Sequence, residues 1–146
     1  MKILLSAFAC YPGYGSEPGI GWQLARHLAR DHEVWVLTDE RNAPGIRPAL
    51  EESSSRMPEV RFVDLGIGYS FAHRLYYLVW QVRAYFHART LQRRVDFDLI
   101  HHVTYVTSWP PSFMGWLDVP FVWSTGPKER TPAAFLRHMS LKGAAT

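Results

Sequence analysis

Small and polar residues follow the first apolar run of the chain, and their types and spacing suit an anion-binding loop. Residues 3–9 are an apolar run, and it leads into a stretch rich in glycine and proline. Glycines let the backbone approach a ligand closely, and the first backbone N–H groups of a following helix point toward the same place. We therefore expect a binding site for a phosphate or another anion. Its predicted residues are Gly13, Gly15, Ser16, Glu17 and Gly19.

Two adjacent histidines, His101 and His102, lie in a later apolar run and are candidates for acid–base chemistry. Neighbouring side chains on a strand point to opposite faces, so only one of the two can enter a given site. His102 is nearer the carboxyl end of the predicted strand, where its imidazole can hydrogen-bond a hydroxyl or accept a proton from it. We predict His102 as the catalytic residue, with a satisfied core histidine as the alternative. The sequence contains no other cluster with metal-ligand spacing, so no metal site is predicted.

Hydrophobic patterning supplies the elements that must position these residues. Short apolar runs predict strands, and helical periodicity between them predicts helices. The predicted strands are residues 3–9, 33–38, 60–65, 97–103 and 120–123. Helices are predicted for about three turns from Trp22 and over residues 46–54, 71–95 and 132–139, with a helical turn within 110–117. This alternation predicts an α/β domain with a Rossmann-like parallel sheet and helices on both faces.

Ligands of such sheets bind at the carboxyl ends of the strands. The loops predicted at that edge are residues 10–19, 38–42, 66–70, 104–109 and 124–130. The first, fourth and fifth contain the side chains best suited to chemistry. Thr104 and Lys128, in the fourth and fifth loops, are therefore further substrate-binding candidates.

The long helical pattern over residues 71–95 combines aliphatic, aromatic and basic side chains. Its aliphatic stripe is Leu75, Leu78, Val79, Val82, Phe86 and Leu91, and its aromatic flank is Tyr76, Tyr77, Trp80 and Tyr85. One interpretation is a crossover helix with the aromatic flank in the core. The other is a surface helix with Tyr and Trp rings at lipid headgroups and arginines toward anionic lipid. The pattern leaves both open.

Composition restricts the classes of function. The 146 residues are 47% hydrophobic with a net charge of +3, which suits anionic ligands or a membrane surface but is too weak and scattered for nucleic acid. The single cysteine, Cys10, excludes an internal disulfide and favours a reducing compartment. No stretch approaches the ~20 apolar residues of a spanning helix. We expect a cytoplasmic protein.

A nicotinamide-dependent oxidoreductase is one alternative. Gly13 and Gly15 have the first spacing of a G-x-G-x-x-G motif, and Asp39 lies near the expected position of a ribose-binding acid. Pro18 replaces the third glycine and disfavours this function. The other alternative for the loop is a surface connection without a ligand.

In its order of segments the chain resembles the N-terminal domain of family 4 glycosyltransferases, which have the two-domain GT-B fold. The matching segments are KILLSAFACYPGYGSEPGIGW, HEVWVLTD, RLYYLVWQ, FDLIHHVTYVTSWPPSF and VPFVW. They cover most of the chain from Met1 to about Trp123.

The resemblance implies a retaining enzyme that moves a sugar from a nucleotide-sugar donor to a hydroxyl of a glycan or lipid-linked acceptor. It implies that the glycine loop approaches the donor diphosphate and that the fourth-strand histidine lies near the reacting sugar. No cofactor is expected beyond the donor. We expect residues 1–146 to be one truncated, acceptor-side domain that is inactive without the donor-binding domain and peripheral at the inner face of an anionic membrane. A non-catalytic carbohydrate- or membrane-surface-binding module is the alternative.

Overall fold

The computed structural model describes residues 1–69, 73–103 and 112–123, and these residues form an α/β structure around one parallel sheet. The strands are β1 (Lys2–Ser6), β2 (Glu33–Asp39), β3 (Glu59–Val63), β4 (Leu99–His102) and β5 (Phe121–Trp123). The helices are α1 (Ser16–Leu28), α2 (Ala43–Glu52) and α3 (His73–Val95), with two 3-10 turns at Glu40–Asn42 and Phe113–Trp116. The predicted helix 132–139 and the predicted loop 124–130 lie outside the described residues.

The sheet has the order β3-β2-β1-β4-β5, and every neighbouring pair is parallel. The chain builds outward from β1 to β3, and α3 then returns it to β4 on the other side of β1. A right-handed crossover places its helix on one face of the sheet when the next strand is added on one side, and on the other face when the next strand is added on the opposite side. Accordingly, α1 and α2 pack on one face, and α3 and the second 3-10 turn pack on the other. The predicted fold is confirmed.

Both faces of the sheet are apolar because both are covered. Ile3, Leu5 and Val36 pack with Trp22 and Ile46 on the α1 face. On the opposite face, alternate strand residues pack against α3; these are Leu4, Trp35, Leu37 and Ile100. The central strands β1 and β2 are therefore near-continuous hydrophobic runs, whereas the edge strand β3 alternates polar and apolar residues.

Helix α1 begins at Ser16, and the predicted start at Trp22 is wrong. The first turn contains Glu17 and Pro18, and its outward residue Ile20 is 60% exposed, so apolar periodicity does not extend to it. Proline is tolerated there because the first N–H groups of a helix have no intrahelical partner. The predicted glycine loop is consequently shorter, and Glu17 and Gly19 lie within the helix.

In α3 the aromatic flank is buried, as the crossover interpretation predicts. Tyr76, Tyr77 and Trp80 are at most 7% exposed, and the ring of Phe8 lies 5.1 Å from those of Tyr77 and Trp80. Aromatic rings bury more area than aliphatic side chains and fill the space above the sheet. The placement of Tyr76, Tyr77 and Trp80 at lipid headgroups is wrong. Within the described residues, no helix is both long and apolar enough to cross a bilayer.

Candidate functional site

The strand order locates the place where an open α/β sheet binds ligands. The chain reverses direction between β1 and β4, and crevices open at such a switch point beside the carboxyl ends of the strands. Ser6 ends β1 and is paired in register with His102, which ends β4. Just beyond them, the N–H of Val103 donates to the carbonyl of Ser6 over 3.0 Å. The loop after β1 and the predicted catalytic histidine therefore flank one switch point.

The glycine loop leaves backbone open at Gly13 and Gly15. A Cβ atom added at either position would meet nothing within 4 Å. Gly13 has a φ of +77°, whereas Gly15 has an ordinary φ of −73° and caps α1 without a side-chain hydrogen bond to the first turn. Ser16 follows with a φ of +64°. Glycine at position 13 thus permits the left-handed backbone conformation of the loop. Glycine at position 15 only leaves the backbone accessible.

Gly19 has a different setting, because the loop folds back over it. A Cβ there would lie 1.9 Å from the carbonyl oxygen of Tyr14, and the N–H of Tyr11 donates to the carbonyl of Pro18 over 3.0 Å. Gly19 is buried and permits this close approach. Its contact with a ligand stays a prediction, and its packing role is evident.

The first turn of α1 combines an anion-binding feature with a fixed negative charge. Its N-terminal N–H groups and helix dipole favour an anion. Glu17 lies in the same turn and places a carboxylate there. A ligand phosphate would therefore approach from the side of Gly13 and Gly15 rather than from that of Glu17.

An open groove of about 610 Å³ runs from Gly15 and Ser16 along the outer side of α1 to His27 and Arg30. It lies on the α1 side of the sheet, opposite to the ring of His102. The groove and the histidine therefore do not share one cavity.

His102 lies on the α3 side of the sheet and is 1% exposed. Its Nε2 atom is 3.1 Å from the hydroxyl of Tyr77, and its ring meets Trp123 edge-on at 6.4 Å between centroids. His101 points to the opposite face, where burial lowers its pKa. The prediction that the two histidines face opposite sides is confirmed, and His102 is the one packed against α3.

Ser6 and Trp123 add polar atoms around His102 that the sequence analysis missed. The hydroxyl of Ser6 and the indole N–H of Trp123 are buried, and neither has a hydrogen-bond partner among the residues that the structure describes. Both residues are register partners of His102 on neighbouring strands. A polar residue that ends an apolar strand is the sequence pattern by which Ser6 could have been found.

Asp39 ends β2 as a buried carboxylate that accepts three hydrogen bonds. Its donors are the backbone N–H of Arg41 at 3.0 Å, the Nε of Arg41 at 2.7 Å and the hydroxyl of Tyr76 at 2.8 Å. Burial and the bond to Asp39 raise the pKa of Tyr76 to about 12. Because these protein donors occupy the carboxylate, Asp39 is not available to a ribose. The alternative of a nicotinamide-dependent oxidoreductase therefore lacks the ribose-binding acid that the sequence analysis assigned to Asp39.

The guanidinium of Arg41 is held in place at the carboxyl edge of the sheet. It lies 3.8 Å from the ring centroid of Tyr69 and 4.9 Å from that of Tyr76. Its side chain is 43% exposed. A fixed and partly exposed guanidinium can bind a carboxylate or phosphate in a forked geometry. The sequence analysis missed Arg41 because the rings of Tyr69 and Tyr76 that lie against it come from a distant part of the chain.

Side chains from β2 and the turn after it secure the loop that follows β1. Asn42 donates through Nδ2 to the carbonyl of Phe8 over 2.8 Å, and the hydroxyl of Thr38 donates to the same oxygen over 3.3 Å.

Burial raises the pKa of the Cys10 thiol to about 12, so this thiol is unsuited to act as a nucleophile at neutral pH.

Two predicted site residues, Thr104 and Lys128, lie outside the described residues. In the part of the chain that the structure describes, no three His, Cys, Asp or Glu side chains are grouped to hold a metal ion.

Comparison with known protein families gives a match over most of the chain. The model of Glycosyltransferase Family 4 matches residues 22–125, from within α1 to just beyond β5. The matched region includes His102 and Arg41 but not the glycine loop. Among curated proteins, no significant match is found.

Proposed function

The chain belongs to glycosyltransferase family 4, and from this premise we propose that it is the acceptor-side domain of a retaining enzyme. The enzyme would transfer a sugar from a nucleotide-sugar donor to a hydroxyl of a glycan or lipid-linked acceptor. The observation that carries this proposal is the family match over residues 22–125, which includes β4, one of the two strands at the switch point.

The glycine loop would serve the leaving diphosphate. Cleavage of the bond between sugar and diphosphate builds negative charge on the leaving oxygen. N–H groups and a helix dipole aimed at that charge stabilise a transition state without reorganisation. The open backbone at Gly13 and Gly15, next to the start of α1, supports this role.

His102 would hydrogen-bond a hydroxyl of the reacting sugar or acceptor. Its position at the carboxyl end of β4 supports this role, and the hydrogen bond between its Nε2 and the hydroxyl of Tyr77 fixes the orientation of its ring. Because His102 is 1% exposed, any ligand that touches it must enter the crevice between β1 and β4. Arg41 would bind an anionic group of the acceptor farther along the same edge.

Catalysis would need a donor-binding domain in addition to residues 1–146. Positioning of donor against acceptor accounts for ~7–11 kcal/mol of a barrier, and a single domain cannot supply it. We expect the purified chain alone to give no turnover with any nucleotide sugar. Robust turnover by residues 1–146 would refute this arrangement.

The stereochemistry of transfer tests the proposed reaction directly. A protein carrying both domains would be assayed with a panel of nucleotide sugars, and the anomeric configuration of the product read from its proton NMR coupling. Retention is expected, with activity lost in His102→Ala. An inverted product would refute the retaining mechanism. A two-domain protein that binds glycans yet transfers no sugar would favour the non-catalytic module.

A further inference from the structure

The outward side of α3 carries an apolar stripe that the other described parts of the fold leave uncovered. Leu75, Val79, Val82 and Phe86 recur at helical spacing and are 41–59% exposed, and Leu78 beside them is 36% exposed. Helices that cover a sheet ordinarily turn their polar residues outward. A contiguous exposed apolar surface of this kind marks an interaction site.

A second element extends this surface. Trp116, in the second 3-10 turn, is 73% exposed, and its ring stacks on Phe113 at 4.9 Å. Tyr85 lies between it and the helix stripe, 6.2 Å from Trp116 and 5.5 Å from Phe86. We call Leu75, Leu78, Val79, Val82, Phe86 and Trp116 the α3 surface. Since two elements contribute to it, the exposure is not a feature of the helix alone.

The charges on α3 are of one sign. Its 23 residues include five arginines and no Asp or Glu. At 100° per residue, Arg89 and Arg93 continue the apolar stripe toward the C-terminal end of the helix, and all of these positions are exposed. Within α3, the charged neighbours of the apolar stripe are all cations, and this is the composition of a helix that lies in the interface of an anionic bilayer.

We propose that the α3 surface binds the headgroup region of an anionic phospholipid bilayer, with α3 parallel to the membrane plane. The aliphatic stripe and Trp116 enter the boundary between headgroups and acyl chains, and Arg89 and Arg93 meet lipid phosphates. The buried aromatic flank takes no part. In the sequence analysis, the membrane interpretation turned the aromatic side of the helix toward lipid. The side proposed here is the opposite, aliphatic one.

Binding of α3 to a membrane would also bring the site close to a lipid-linked acceptor, and this part of the proposal rests on the proposed transferase function. Tyr76 and Tyr77, on the inner side of α3, bond Asp39 and His102 at the carboxyl edge of the sheet. A bilayer against the outer side of the same helix would hold that edge close to the membrane surface. The headgroup of a lipid-linked acceptor would then reach the site without leaving the bilayer.

Vesicle co-sedimentation of the 146-residue chain tests the proposal without any donor sugar. The probes are phosphatidylcholine vesicles, pure or with about 30 mol % phosphatidylglycerol. We expect binding to the anionic vesicles that weakens with added salt, because salt screens the surface potential. Equal partition into both kinds of vesicle, or none into either, would overturn the proposal.

Three variants distinguish binding through the α3 surface from nonspecific adsorption of the protein to vesicles. Val79→Gln with Val82→Gln should reduce partition at least tenfold, because both side chains lose their apolar contact with lipid. Arg89→Gln with Arg93→Gln should reduce it roughly 20- to 30-fold, since each arginine near an anionic surface contributes about a fivefold factor. Ile20→Gln is the matched control: Ile20 is 60% exposed on α1, across the sheet, and its replacement should change nothing.

All of these positions are exposed, so the variants should keep the melting temperature of the parent, which circular dichroism checks. Parental binding by both α3 variants would refute the assignment. So would a concentration-dependent dimer without vesicle binding, since the surface would then meet a second copy of the chain. Vesicle binding by a two-domain protein that lacks transferase activity would support the surface and refute the proposed function instead.

Discussion

The hydroxyl of Tyr77 lies 3.1 Å from Nε2 of His102, and this contact joins the beginning of α3 to the carboxyl end of β4. The predicted catalytic histidine is therefore positioned by the helix whose opposite side forms the α3 surface. Its neighbour Tyr76 bonds Asp39 at the end of β2. Two consecutive tyrosines thus tie α3 to strands on either side of β1.

Replacement of Tyr77 by phenylalanine should remove a buried hydrogen bond while the ring remains. We expect the free energy of unfolding to fall by ~1–3 kcal/mol in chemical denaturation, because a buried polar group loses its partner. Tyr85→Phe is the control, since its hydroxyl has no hydrogen-bond partner in the described part of the chain, and it should be neutral. In an active two-domain protein, Tyr77→Phe should lower kcat more than it raises KM. Unchanged stability and activity would show that the contact does not position His102.

Gly13 and Gly15 offer a matched pair, because both have open space around an added Cβ and only Gly13 has a positive φ. Gly13→Ala should lower the free energy of unfolding by ~1–2 kcal/mol, the cost of the left-handed conformation for an L-residue. Gly15→Ala should leave it unchanged or raise it by ~0.4–1 kcal/mol, because alanine restricts the unfolded chain. Equal effects in thermal or urea unfolding would contradict the assigned backbone roles.

Gly15→Val tests the approach of a diphosphate to the loop. In a two-domain protein we expect a strong loss of kcat/KM for the donor with a melting temperature within a few degrees of the parent. The nearby Glu17→Gln should cost at most ~0.3–1 kcal/mol, since a carboxylate in the first turn stabilises the helix dipole only by that amount. A large loss of activity in Glu17→Gln would indicate contact with the ligand. Near-parental activity in both variants would show that the loop is only a connection.

Asp39→Asn should destabilise the fold more than the neighbouring change Glu40→Gln. Asp39 is buried and accepts three hydrogen bonds, so its replacement should lower the free energy of unfolding by ~1–3 kcal/mol. The ion pair of Glu40 with Arg47, at 3.3 Å, is exposed on both sides, and such pairs contribute only ~0–1 kcal/mol. Equal small losses in equilibrium unfolding would mean that Asp39 does not organise this edge.

His101 should make stability depend on pH. Burial lowers its pKa in the folded chain below the ordinary value of 6.5, so the unfolded chain binds the proton more readily. Its stabilising contribution is therefore present above pH ~6.5 and is lost as the pH falls toward the lower folded pKa. His101→Gln should flatten the decline in melting temperature between about pH 7 and pH 5. His87, whose pKa burial and Arg83 also lower, should account for part of the remaining slope. An unchanged slope would contradict the prediction.

The sequence by itself determined the order and type of the elements. The central strands β1 and β2 are short apolar runs and α1 has a helical periodicity, and these local patterns predict a sheet covered on both faces. The position of His102 at a strand end, opposite in direction to His101, followed from the same local geometry. The start of α1 was missed because the exposed first turn, with Glu17 and Pro18, carries no apolar periodicity.

Only the tertiary structure decided which side of each element faces the core and which polar groups meet. The pattern of α3 has apolar residues all around the helix, so burial of Tyr77 and Trp80 rather than Val79 and Val82 depends on the space above the sheet. The partners of Asp39 include Tyr76, 37 residues away, and no local rule specifies such a contact. Packing between distant segments selected one side of α3 for the site and left the other free to meet a membrane.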